Sequence, residues 1–187
     1  MQYVNRRRET YFAFEGTTKT GKPKYFASKK PTSANASRAE TLPADFEFFE
    51  NPMNATVVIR RRRPTTLTVA QRNLLSRLTL EHSTMNCEVI IDGNSLIVYS
   101  SSKPQFDPAI ESIMPGFSKS VADNANLEPG FKFTLAEPEK RLFSIARYCY
   151  RSSMEGWLEL HRRPASMETL AAQYLAHLGQ ESYFDLI

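Results

Sequence analysis

Gly16-Thr-Thr-Lys-Thr-Gly21-Lys22 has the spacing G-x-x-x-x-G-K of a phosphate-binding loop. That chemistry also needs a Ser or Thr next, to hold Mg²⁺, and a helix whose first amides meet the phosphates. Position 23 is Pro, which brings neither a hydroxyl nor an amide hydrogen, and Lys24-Tyr25-Phe26 reads as a strand. Nucleotide binding is therefore not expected. The same letters describe the lysine-rich tip of a β-hairpin.

The lysines of that tip have company. Lys19, Lys22, Lys24, Lys29 and Lys30, with Arg6, Arg7 and Arg8, interleave with Tyr11, Phe12, Phe14, Tyr25 and Phe26. Cations neutralise phosphate and rings stack on bases, so this mixture suits nucleic acid. Strand alternation sends Phe12 and Phe14 to one face, expected to be core, and Tyr11 and Glu15 to the other. Tyr11 and Tyr25 are then the candidate stacking residues. Arg60, Arg61, Arg62 and Arg63 form a second basic run, and guanidinium groups make planar contacts to phosphate or carboxylate. Alternate members of an extended run face opposite ways, so two or three could follow one phosphate track. The others are placed to pair with the segment Glu47 to Glu50.

Catalytic groups are sparse. Cys149 lies between Arg147 and Arg151, where two cations could support a thiolate. His161 precedes Arg162 and Arg163, while His82 and His177 fall near helix C-termini, where the helix dipole accounts for them. No HExxH, CxxC, EF-hand or GxSxG pattern occurs. Neither a cofactor nor a metal is expected, and Trp157 is assigned to the core.

Charge follows the same geography. The 187 residues carry a net charge of +4. Residues 1–63 hold 13 Lys+Arg against 6 Asp+Glu, whereas residues 64–187 hold 11 against 14. An N-terminal third at +7 beside a remainder at −3 points to an anionic partner for the former. No secretory leader is recognised, no apolar run approaches the roughly 20 residues of a membrane helix, and the two cysteines stand apart. A cytoplasmic protein without a membrane partner is expected.

The elements that must position these residues follow from local pattern. Tyr11–Phe14 and Tyr25–Phe26 flank the hairpin tip, where Gly21 supplies the turn. Pro31 to Pro43 reads as a loop, Phe46–Phe49 and Ala55–Arg61 as strands. Thr68 with Gln71 forms a capping box ahead of an apolar stripe at Ala70, Leu74, Leu75 and Leu78. Cys87 to Ser100 reads as a hairpin turning at Asp92-Gly93. Asp107-Pro108 opens a helix that Pro115-Gly116 breaks. Phe131, Phe133 and Leu135 alternate with Lys132 and Thr134 in a half-buried strand, followed by strands at Leu142–Tyr150 and Trp157–Leu160. Ser166 caps a last helix that stops at Gly179. Without regular βαβ alternation, the expected class is α+β, with mainly antiparallel sheet elements. The expected organisation is a basic β-rich segment over 1–63 and an α+β domain over 64–187, either separate or continuous.

As a set, YFAFEGTTKTGKPKYFASKKP, FEFFENP, RYCYRSSMEGWLEL and YLAHLGQESYFDLI resemble a family of uncharacterised bacterial proteins. The resemblance covers both ends of the chain and, loosely, the middle. It implies a bacterial cytoplasmic setting and transfers no reaction, ligand or residue role. The functional expectation therefore rests on charge: a non-enzymatic protein that contacts DNA or RNA through the basic hairpin and the arginine run. The alternative is an interaction subunit of a bacterial defence or stress complex, docking on an acidic protein. An enzyme using Cys149 or His161 comes third.

Overall fold

The computed structural model describes residues 1–104, 108–151, 154–160 and 163–186. The chain divides into two compact units, Met1–Arg63 and Pro64–Ile187. Strands predominate over helices, and every strand pairing among the described residues is antiparallel.

The first unit is built around β2 (Thr10–Thr17). One edge of β2 pairs with β3 (Pro23–Ser28); the other carries β1 (Gln2–Val4) and the short β4 (Ser37–Arg38). The β2–β3 turn closes as expected: Lys22 carbonyl accepts from Thr18 amide at 2.8 Å, and Gly21 takes a φ of +77°. That left-handed conformation suits a residue without a Cβ. A separate ribbon joins β5 (Phe46–Glu50) to β6 (Val57–Arg61). It packs rings against the β2 sheet, with Tyr3 on Phe48 at 5.5 Å between centroids and Tyr25 on Phe46 at 5.0 Å. Tyr11, Ala13, Phe14 and Val57 of this unit are buried.

In the second unit a five-stranded sheet runs in the order β11-β10-β9-β8-β7. Its strands are β7 (Met85–Asp92), β8 (Ser95–Pro104), β9 (Leu127–Glu137), β10 (Leu142–Arg151) and β11 (Met154–Glu159). Alternation gives one face of it Leu96, Val98, Phe131, Phe133, Phe143 and Ile145, all buried. Helix α1 (Val69–His82) covers that face with Leu75 and Leu78. The capping box at its start is complete, since Gln71 amide donates to Thr68 Oγ1 and Thr68 amide to Gln71 Oε1. Two short helices, α2 (Pro108–Ile113) and α3 (Phe117–Asn124), flank Gly116 at φ +82°. Asp107, expected to cap the first of them, lies outside the described residues. Helix α4 (Met167–Tyr174) adds Leu170, Ala171 and Tyr174 to the core and runs into a 3-10 turn at Leu175–His177.

Two expectations shift. The β7–β8 turn is centred on Gly93-Asn94, because Asp92 already pairs with Ser95. Trp157 does not join the core cluster. The Tyr148–Trp157 and Arg147–Leu158 pairings put Leu158 on the core side and Trp157 on the other. There it is half-buried, with Tyr148 edge-on at 5.0 Å and the Lys132 ammonium 4.8 Å from its ring. A strand admits only alternate residues to the core, and Leu158 and Leu160 occupy that parity.

Candidate functional site

The basic residues of the first unit separate into those already neutralised and those facing solvent. Arg6 belongs to the former. Its amide donates to the Glu50 carboxylate at 3.2 Å, and its guanidinium reaches the Pro52 carbonyl and lies 3.9 Å from Glu50. Arg7 is half-buried, and Arg8 is exposed with a left-handed φ of +62° in the turn that Asn5 organises. Asn5 is buried and bonds Ala55 carbonyl, the Glu9 carboxylate and Glu9 amide, so this turn is held from three sides.

The arginine run is largely occupied as well. Arg60 Nε donates to Glu47 Oε1 at 3.1 Å while its guanidinium lies 3.5 Å from the Phe49 ring centroid. Arg61 approaches Asp45 at 3.6 Å and the Phe46 ring at 5.5 Å, and Arg62 Nε donates to the Phe46 carbonyl. Arg63 is exposed. Pairing of the run with the acidic segment, anticipated for part of it, covers Arg60 and extends to Arg61 through Asp45.

Tyr11 departs from expectation. It is 5% exposed, because its face of β2 meets the β5–β6 ribbon, and Lys29 stands over its ring edge region at 5.5 Å. Lys29 also pairs with Glu9, whose carboxyl the ammonium and the Asn5 amide hold below the usual range. Tyr25 is half-buried against Phe46 and donates to Glu15 Oε1 at 3.1 Å. Tyr11 presents no free ring, whereas Tyr25 stays partly exposed.

The opposite face of the β2–β3 pair has a different character. Register places Phe12, Phe14, Phe26, Lys24 and Arg38 on it together. Phe14 is buried, while Phe12 and Phe26 are half-exposed. Arg38 sits 4.3 Å above the Phe12 ring and Lys24 5.8 Å from the Phe26 ring, with Phe26 stacked on Phe14 at 5.5 Å. Lys19 and Lys22 extend from the adjoining tip, and Lys30 follows β3; these three and Lys24 are exposed and form no ion pair among the described residues. Sequence reasoning passed over Arg38. Its only signal was one cation in a loop, and the two-residue strand that brings it beside Phe14 has no periodicity to read.

The residues considered for catalysis do not assemble. Cys149 is 8% exposed. The neighbouring Arg147 is spent on carbonyls, its Nε donating to Leu186 at 2.9 Å and a terminal nitrogen to Phe184 at 3.2 Å. The Arg151 side chain and His161 lie outside the described residues. Burial pushes the Cys87 thiol up to about 11, the hydrogen bond with Ser83 opposing it, so it is a thiol at neutral pH. Both cysteines are free. His177 Nδ1 bonds Ser182 Oγ at 2.8 Å. Among the described residues no three His, Cys, Asp or Glu side chains are grouped to hold a metal ion, and no helix is long and apolar enough to cross a membrane.

Fold and surface together define an antiparallel, strand-rich protein with helices on one sheet and lysines on another. No protein-family model matches the chain, and no curated protein and no solved structure matches it.

Proposed function

We propose that the protein is a binding module that holds single-stranded nucleic acid on the lysine face of its first unit. One observation carries this reading: among the described residues Lys19, Lys22, Lys24 and Lys30 are exposed and without carboxylate partners, next to half-exposed Phe12 and Phe26. Unpaired ammonium groups neutralise phosphates, and adjacent rings offer stacking surfaces that tolerate any base. Arg38 on Phe12 adds a cation beside a ring that a base could share. The contact residues are thus Lys19, Lys22, Lys24, Lys30 and Arg38. Arg6 and Arg60, already paired with Glu50 and Glu47, hold the unit together instead, and Arg61 makes an exposed surface pair with Asp45.

Fluorescence anisotropy with labelled single-stranded DNA and RNA tests the reading. Five neutralised phosphates imply a log–log salt slope of about −3.5, so a fourfold rise in salt weakens binding about 130-fold. Lys19→Glu, Lys22→Glu and Lys24→Glu combined should abolish binding at low salt, whereas Arg61→Gln should leave it nearly unchanged. Absence of binding at low salt, or a triple variant that still binds, ends the proposal. Co-purification of an acidic protein free of nucleic acid would replace it.

A further inference from the structure

The second unit contains a cavity of about 340 Å³ at one end of its sheet. Ser100 on β8, Glu128 on β9 and Tyr150 on β10 form one wall, and the C-terminal turn brings Glu181 and Phe184 to the other, with Met85 on β7 among the apolar lining. The walls are held in place by close packing. A Cβ on Gly179, which has φ +78°, would lie 2.5 Å from Met85 Sδ, and one on Gly130 would lie 2.5 Å from Leu178 Cδ1.

Its chemistry is one-sided. Glu128 and Glu181 reach it from different elements, and no Lys or Arg lines it among the described residues. The nearby Arg147 guanidinium is directed at the carbonyls of Phe184 and Leu186. Tyr150 and Phe184 are about half exposed, at 48% and 50%, with the Tyr148 ring 4.7 Å from Tyr150 and the Tyr183 ring 5.4 Å from Phe184 between centroids. Burial first, and then the charge of Glu128, pushes the Tyr150 hydroxyl up to about 12. Two carboxylates, two half-exposed aromatic rings and an apolar lining are complementary to a cation on an aliphatic stem. The carboxylates supply charge, the rings attract it by their quadrupoles, and Met85 meets the methylenes. The volume is at the lower end of the ligand-pocket range of about 300–1,000 Å³, so it admits a small amine and excludes a large cofactor.

We propose that this cavity, between the β8–β10 strand ends and the C-terminal turn, binds an alkylammonium group, held by Glu128, Glu181 and the Tyr150 and Phe184 rings. Such a group belongs either to a free aliphatic diamine or to a lysine side chain of a peptide. The site is independent of the lysine face of the first unit, and its test uses no nucleic acid.

Isothermal titration of the full chain with cadaverine, with a blocked Ala-Lys-Ala peptide and with pentanol decides it. Saturable binding of cadaverine, of the peptide or of both, with pentanol binding clearly weaker, is the expected result. Whichever cation binds more tightly names the source. Glu128→Gln with Glu181→Gln should weaken the cation about tenfold, and Tyr150→Leu about fivefold through loss of the ring. Both glutamates are exposed, so circular dichroism should be unchanged in the double variant. The proposal is overturned if neither cation binds, if pentanol binds equally well, or if the folded double variant binds as tightly as the original chain. Should the double variant misfold, the comparison of cadaverine with pentanol on the unaltered chain still decides.

Discussion

The Tyr183 hydroxyl sits where β9 and β10 part. Strand pairing reaches Arg147 opposite Phe131, and at the next position the phenol takes over. It accepts from the Tyr148 amide at 3.1 Å and shares its one hydrogen between the carbonyls of Gly130, at 2.8 Å, and Tyr148, at 2.9 Å. Burial pushes this phenol far above its ordinary range, so it stays a donor at any pH the fold tolerates. Tyr183→Phe keeps the ring edge-on to Phe131 at 5.2 Å but strands backbone groups inside the protein. Unsatisfied buried groups cost about 1–3 kcal/mol each, and urea unfolding should show a loss in that range with an unchanged m value. The role of Tyr183 was not legible in Glu181-Ser-Tyr-Phe-Asp: an aromatic tail announces docking without naming its acceptors. Tyr11 failed for a related reason. Alternation separates two faces of a strand, but both faces of β2 are largely covered, and only the packing partner says which rings stay open.

At the scale of elements, local signals were reliable wherever one short stretch contained the whole interaction. Thr68 and Gln71 are three residues apart, and their capping box forms as read. Thr68→Ala removes a cap and should cost about 1 kcal/mol, within the usual range of about 0.5–2, measurable by thermal or urea unfolding. The β2–β3 turn, the break at Gly116 and the alternating Phe131, Phe133 and Leu135 were legible for the same reason. β4 was not, because two residues have no period and are recruited by the free edge of β2. Trp157 was misassigned because parity along β11 depends on its register with β10, which a single strand does not encode.

For the molecule as a whole, the cluster of buried apolar residues from Leu67 to Tyr183 is drawn entirely from the second unit. Residues 64–187 should therefore fold when expressed alone and unfold cooperatively, as followed by near-ultraviolet circular dichroism and calorimetry. A non-cooperative melt would show that this core needs residues 1–63. By itself the sequence determined most of the longer elements and the placing of +7 in residues 1–63, because propensity, capping and charge are properties of neighbouring residues. Only the tertiary structure decided which of those charges are free. Arg60 and Glu47 are thirteen positions apart and meet by strand register, while Lys19 and Lys22 meet no carboxylate among the described residues. Pairing across strands is a long-range event, and no pattern of neighbouring residues along the chain shows it.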